Sequence, residues 1–278
     1  MRLRGLTRLV DKMPDYAHYF DWLRPTTSRA ALVPAKSGDE KASMKLKHTD
    51  HSQIFPIIQE VAVENGFMFD SMLDVGSGLR TLDKWFLNFK FSTELHEYYA
   101  AEVDEDIISK LAAAGISTID LFKEDRPCDL VVAAEVLEHI LPEDSLSFLD
   151  CCKRNTRKLF AMTVPNFEYW HHLKAEGDMK ECRWLPDHFK DFNPRSDDPH
   201  MHKQEMTPEV LMEYVSRVFD KDNWDICIMR AWPWRLTDVA RKRDFELYFK
   251  LFAIAVRRTT RRDDCPSKQP PCAGGPGL

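Results

Sequence analysis

The sequence has no apolar run long enough to cross a bilayer. Its longest runs, such as residues 251–256, fall far short of the roughly 20 residues required. The first ten residues are basic but have no long apolar core and no cleavage site. This argues against a secretory signal and suits a surface amphipathic helix or a frayed basic end. Positive charge is not in excess: 39 Lys and Arg stand against 45 Asp and Glu, for a net charge of −6. The pI is near 5.9. Whole-molecule attraction to nucleic acid is therefore not predicted, while a local basic patch is compatible with this charge. The seven cysteines are odd in number and irregularly spaced, so they form no disulfide framework. They point to a reducing, cytoplasmic compartment. Internal repeats are absent, and so is any Ser-His-Asp or Cys-His signature. What remains is globular in composition: 278 residues, 44% apolar and 30% charged. That length suits one large domain with additions, or at most two domains.

The chain divides by composition. Residues 1–50 carry scattered aromatics (Tyr16, Tyr19, Phe20, Trp22) and then a polar stretch, and read as an N-terminal extension or lid followed by a linker. Residues 51–258 form the main domain. Within it, residues 166–206 are rich in His, Trp, Pro and Asp with little periodicity, and read as an acceptor-side insertion. Residues 259–278 have turn and coil chemistry and are expected to be a disordered tail.

Within the main domain, strand and helix patterns alternate. Residues 51–65 have helical spacing (Ile54, Ile57, Ile58, Val61) and stop at Gly66. Residues 71–75 form a short apolar run that enters the turn Gly76-Ser77-Gly78. A helix is predicted over 79–87, a strand over 97–103, and a helix over 104–114 that ends at Gly115. Strands follow at 117–121 and at 128–134, the latter nearly all apolar, as a strand buried on both faces should be. A helix over 142–154 and a strand over 158–164, stopped by Pro165, complete this half. Thr207-Pro208 opens a further helix, with Thr as N-cap and Pro in the first turn. Strands at 224–229 and 245–256 close the domain, with no long helix between them, so the last pair is expected to be antiparallel. Together these make an α/β fold, a Rossmann-like seven-stranded sheet with helices on both faces.

Ligands bind beyond the carboxyl ends of the strands in such a sheet. Asp74 and the Gly76-Ser77-Gly78 turn lie at one such end, and the glycines allow the backbone to approach a ligand. The turn lacks the third glycine of the dinucleotide fingerprint. The second strand ends in Glu102, 26 residues after Gly76, where an acid can accept ribose hydroxyls. The third carries Asp120 at its end, where an acid can accept the amine of an adenine. Each acid alone reads as a solvated loop residue. Three acids at successive strand ends around one Gly-x-Gly turn read as a nucleoside site.

The set Leu73-Asp-Val-Gly-Ser-Gly78, Glu102, Asp120 and the run Cys128 to His139 resembles the class I S-adenosylmethionine-dependent methyltransferases. The resemblance covers roughly residues 51–258 and implies a last strand that is antiparallel. It also implies that Asp74, Gly76, Ser77 and Gly78 lie along the methionine of S-adenosylmethionine. Glu102 would bind its ribose, Asp120 its adenine, and the Glu135 segment would flank the sulfonium. A methyl group on positive sulfur needs an aligned nucleophile and a proton acceptor, not a protein nucleophile.

Glu135-Val-Leu-Glu138-His139 is the second constellation. If a helical turn begins there, Glu135, Glu138 and His139 share one face and offer mixed oxygen and nitrogen ligation. A later segment, His200-Met-His202-Lys-Gln-Glu205, can add a ligand. This arrangement resembles the small-RNA 3′-terminal 2′-O-methyltransferases. That likeness implies Glu135, Glu138, His139 and His202 as ligands of Mg²⁺ or Mn²⁺, which would grip the terminal hydroxyls of RNA. Gln204 and Met206 stand where that family has an aromatic neighbour. The Glu-x-Leu-Glu-His run is also similar to that of ubiquinone-biosynthesis-like O-methyltransferases.

The reading that leads is in-line O-methylation of a small-molecule, lipid or glycan hydroxyl, with His139 or His202 as base, or a metal-bound hydroxyl where a metal is held. A metal-assisted RNA 2′-O-methyltransferase is the alternative, and a non-catalytic binding partner that retains the fold is the third. The sequence names no acceptor and no oligomeric state.

Overall fold

The computed structural model describes residues 20–22, 58, 61–63, 65–78, 95–167, 193, 201–231 and 250–258. Eight strands form one sheet. They are β1 (Phe20–Trp22), β2 (Ser71–Val75), β3 (Glu97–Ala101), β4 (Ser117–Ile119), β5 (Cys128–Ala134), β6 (Thr156–Pro165), β7 (Trp224–Ala231) and β8 (Lys250–Arg257). Their order across the sheet is β1-β7-β8-β6-β5-β2-β3-β4. The strands β2 through β6 pair in parallel. The last strand, β8, lies antiparallel to both β6 and β7, as the sequence reading expected.

Burial explains the residue choice. All five residues of β2 and six of the seven in β5 are buried, and β8 is buried from Lys250 to Val256. Such strands have no solvent face, so their sequences show continuous apolar runs in place of alternation. Phe160 of β6 stacks on Phe219, which in turn meets Trp224 edge-on, joining the sheet to the chain that follows the last helix.

The helices are placed by their caps. In α1 (Glu105–Ala113) the Asp104 carboxylate accepts from the amides of Asp106 and Ile107. In α3 (Pro208–Val218) the Thr207 hydroxyl accepts from Val210 N at 3.4 Å. The helix expected over 142–154 is in two pieces: a 3₁₀ turn at Pro142–Asp144, then α2 (Ser145–Arg154). Helices α2 and α3 pack against one another. Residues 58, 61–63 and 65 are helical and stop at Gly66, as predicted. The predicted helix at 79–87, the tail beyond 258 and most of the 166–206 insertion lie outside the described residues.

Several boundaries differ from the sequence reading, among them that of β3, which ends at Ala101 and so leaves Glu102 just beyond the strand. Strand β4 ends at Ile119, before the predicted Leu121, because the Asp120 carboxylate accepts from Phe122 N at 3.0 Å and turns the chain. Strand β6 runs through Pro165, whose lack of an N–H is tolerated at a strand end, where it lies opposite Lys250. The eighth strand, β1, pairs antiparallel with β7 at the sheet edge, inside the segment read as extension and linker. Three residues are too few to show a period of two.

Candidate active site

The sheet reverses direction at β2. Its neighbour on one side is β3 and on the other β5, which makes the crevice beyond β2 and β5 the topological switch point. Strand β2 delivers Gly76 there with φ +65°. Its N–H donates to Ala101 O at 2.8 Å. A Cβ on Gly76 would sit 2.5 Å from Cγ2 of Val136, which follows β5. Only glycine therefore lets the two strand ends close on each other.

The predicted cofactor residues gather at these ends. Asp74 is buried, and Oδ2 accepts from the Tyr98 hydroxyl at 2.8 Å. Ser77 is buried, with its hydroxyl directed to Gly78 O at 3.3 Å. Glu102 is fixed by backbone amides: Oε2 accepts from Gly78 N at 2.9 Å, and Oε1 from Val103 N at 2.8 Å. This binds the glycine turn to the end of β3 and orients a carboxylate toward the crevice mouth, where ribose hydroxyls can still donate to it. Asp120 is half-exposed and held below the usual carboxylate range. The causes are the Lys123 ammonium at 2.7 Å and the Phe122 amide.

The Glu135 to His139 run is not the helical turn expected of it. Glu135 has φ +59°, a left-handed backbone in which few non-glycine residues rest. Its N–H donates to Thr163 O at 2.9 Å. The turn that follows is 3₁₀ and spans only Leu137–His139. Glu135 therefore leaves the face it was expected to share, and its Oε2 lies 3.0 Å from Lys250 Nζ.

Glu138, His139 and His202 do come together. Each offers a ligand atom, and these atoms lie within 4.8 Å of one another. The two imidazoles are 5.0 Å apart between centroids, at 67°. His202 also meets Phe167 edge-on at 5.9 Å. His139 Nδ1 lies 3.3 Å from Met201 O, and a carbonyl only accepts, so Nδ1 carries the proton and Nε2 is left as the lone-pair nitrogen. That Nε2 is 3.9 Å from Glu138 Oε1. Glu138 is completely buried, and neither carboxylate oxygen has a hydrogen-bond partner among the described residues. Its pKa is raised well above the ordinary value, first by burial and then by the Glu135 charge, with its own backbone and Lys250 opposing. A buried carboxylate so placed needs either a proton or a cation.

Two backbone segments are clamped together to make this cluster. Lys203 N donates to Glu138 O at 2.7 Å. Gln204 Nε2 lies 2.8 Å from Leu137 O, 2.9 Å from Ile140 O and 2.8 Å from Ser145 Oγ, so one buried amide spans the turn's carbonyls and the start of α2. Sequence reasoning missed Gln204, Tyr98 and Lys250. Lys250 had a readable signal, a charge set directly before the apolar run 251–256. His171, His172, His188, His200 and the Trp232-Pro-Trp234 turn lie outside the described residues.

No known family model and no curated protein matches the sequence. Solved structures do. The plantazolicin methyltransferase BpumL, in complex with pentazolic desmethylPZN analog and SAH, is 10% identical, with 80% of this chain and 92% of that chain covered at a TM-score of 0.53. The plantazolicin methyltransferase BamL, in complex with triazolic desmethylPZN analog and SAH, is 9% identical over 81% and 92%, at a TM-score of 0.50. The fold is that of the class I S-adenosylmethionine-dependent methyltransferases, in agreement with the strand-end motifs. Among the described residues, no helix is long and apolar enough to cross a membrane.

Proposed function

We propose that the protein is an S-adenosylmethionine-dependent O-methyltransferase assisted by a divalent cation, with the 2′-hydroxyl of an RNA 3′ terminus as acceptor. The observation that carries this reading is the buried, unpartnered carboxylate of Glu138 beside His139 and His202. Both oxygens of that group lack hydrogen bonds, which is what a cation-binding carboxylate looks like before the ion arrives. Two imidazoles and one carboxylate suit Mn²⁺ better than Mg²⁺, which prefers oxygen throughout. When bound, such a cation supplies Lewis-acid charge that lowers the pKa of an acceptor hydroxyl.

The remaining work falls to the chain. Asp74, Gly76, Ser77 and Gly78 line the place of the methionine group, and Glu102 accepts from the ribose. Asp120 stands where the adenine amine would lie, once Lys123 yields its place. The acceptor oxygen bonds to the methyl carbon as the carbon–sulfur bond breaks, and sulfur keeps the electron pair. With His139 and His202 committed to the cation, the hydroxyl proton passes to solvent; in the metal-free reading His139 or His202 would take it. In-line alignment supplies most of the rate, since the methyl donor is already electrophilic.

A second reading keeps a small-molecule, lipid or glycan hydroxyl as acceptor. It is favoured by the net charge of −6, which gives no general attraction to a polyanion.

A methyl-transfer assay with radiolabelled S-adenosylmethionine decides between them. RNA with free 2′,3′ hydroxyls should be labelled in Mn²⁺, and labelling should vanish after periodate cleavage of those hydroxyls or on addition of EDTA. Label that survives both treatments would exclude the metal-assisted, terminal reading. No calorimetric binding of S-adenosylmethionine or S-adenosylhomocysteine would leave a fold without its chemistry, a binding protein only.

A further inference from the structure

The hydrogen bond between Asp74 and Tyr98 joins two strands at the ligand side of the sheet. Asp74 is 2% exposed, in a strand whose five residues are all buried. Its Oδ2 accepts from the Tyr98 hydroxyl at 2.8 Å. Register explains how the two groups meet. Strand β3 runs parallel to β2, with Tyr98 opposite Met72 and Ala100 opposite Asp74. Residues two apart on a strand share a face, so Tyr98 and Ala100 lie on the face that carries Asp74. Ala100 is fully buried and adds only a methyl group there, which leaves room for the Tyr98 side chain to reach diagonally to Asp74. The adjacent Tyr99 points to the other face, where the Arg126 guanidinium lies over its ring, 5.0 Å from the centroid.

A buried carboxylate is costly to keep charged unless donors reach it, and hydrogen bonds to charged groups are among the stronger kinds. The Tyr98 hydroxyl supplies such a donor and fixes the rotation of the group. An ionised carboxylate has about four acceptor sites, so one phenol leaves it capacity for a cationic partner. We infer that Tyr98 is a positioning residue for the cofactor: its hydroxyl holds the Asp74 carboxylate charged and oriented for the α-ammonium of the methionine group of S-adenosylmethionine. The inference rests on the cofactor reading above and deepens it, since it assigns a phenol on β3 to the recognition of one charged end of the cofactor. It holds whether or not a cation is bound. The nucleoside end, served by Glu102 and Asp120, is left to its own contacts.

The full chain and three variants test this, Tyr98→Phe, Asp74→Asn and Tyr99→Phe. Each is titrated with S-adenosylhomocysteine by calorimetry. Each is also melted against rising 5′-methylthioadenosine, which carries the nucleoside and the sulfur but no amino-acid group. Ligand-dependent melting reads weak binding, and the ligand-free melting curve shows that each variant is folded. Tyr98→Phe keeps the ring and removes only the hydroxyl. It should weaken S-adenosylhomocysteine binding by about tenfold, the scale of a lost hydrogen bond to a charged group, and leave 5′-methylthioadenosine binding unchanged. Asp74→Asn should show the same split. Tyr99→Phe should match the wild type with both ligands. A Tyr98→Phe protein that binds S-adenosylhomocysteine as tightly as the wild type would reduce the hydrogen bond to strand packing and overturn the inference. Equal losses with both ligands would show Tyr98 supporting the whole crevice, and would overturn it too. Full S-adenosylhomocysteine affinity in Asp74→Asn would place the ammonium elsewhere, with the same consequence. Wild-type protein that binds neither S-adenosylmethionine nor S-adenosylhomocysteine would remove the cofactor reading itself, a failure distinct from that of Tyr98.

Discussion

Glu138 is a completely buried carboxylate with no hydrogen bond among the described residues and one imidazole 3.9 Å away. Burial makes its ionised form expensive, and the negative charge of Glu135 adds to the cost. The folded pKa therefore lies above the ordinary glutamate value of 4.5, and the folded state holds a proton that the unfolded state releases. Through this group, the stability of the metal-free protein is fully present below that ordinary value and falls as pH rises above it. Glu138→Gln removes the titration. In metal-free protein it should raise the melting temperature at neutral pH by a few degrees, at about 2–4 °C per kcal/mol for a domain of this size. The gain should shrink as pH falls toward the ordinary value. Melting curves of both proteins across that range check this, and a gain that grows on acidification would contradict the environment described. The same substitution removes a cation ligand, so Mn²⁺ should stabilise the wild type and leave Glu138→Gln unmoved.

At the scale of elements, the cluster depends on a clamp. The 3₁₀ turn Leu137–His139 and the segment 201–204 are far apart in sequence and share few intrinsic preferences. Gln204 holds them by placing its amide between Leu137 O, Ile140 O and Ser145 Oγ. Gln204→Leu keeps the volume and removes the donor to Ile140 O and Ser145 Oγ, while Leu137 O keeps that of Ile140 N, at a cost of about 1–3 kcal/mol. Urea unfolding should show that loss, and calorimetry should show weaker Mn²⁺ binding with S-adenosylhomocysteine affinity retained. Retained Mn²⁺ affinity would mean that His202 holds its place without the clamp. The strands themselves were legible, because β2, β5 and β8 are apolar runs bounded by turn residues. The Gln204 clamp was not. A glutamine in a polar segment reads as solvated, and only the fold brings it beneath the 3₁₀ turn. The Glu135 turn was misread for a related reason. Spacing of three and four residues implies a shared helical face only where the backbone is helical, and Glu135 departs from that at φ +59°.

For the molecule as a whole, the core shields the thiols among the described residues. Cys128, Cys151, Cys152 and Cys227 are all buried. Burial pushes the Cys128 thiol up to about 11, and raises that of Cys152 further. Thiolate is the reactive form, so Cys128 and Cys152 should resist alkylation on that ground, and all four because reagent cannot reach them. Iodoacetamide at mildly alkaline pH, followed by peptide mapping, should leave them unmodified in native protein and label all four in urea. Labelling of Cys128 in the native state would show that β5 opens readily.

The sequence by itself determined the order of strands from β2 to β8, the antiparallel last strand and the strand-end acids around Gly76. Each of these follows from local patterns: apolar runs, caps, and glycine at a forced turn. Only the tertiary structure decided that Glu138, His139 and His202 share one buried spot while Glu135 turns to Lys250. Residues 138 and 202 meet because the turn after β5 and the segment before α3 are clamped together at one end of the sheet. Lys250 reaches the same end because β8 runs antiparallel. Such meetings depend on strand order and direction, and local sequence does not encode distance between segments so far apart.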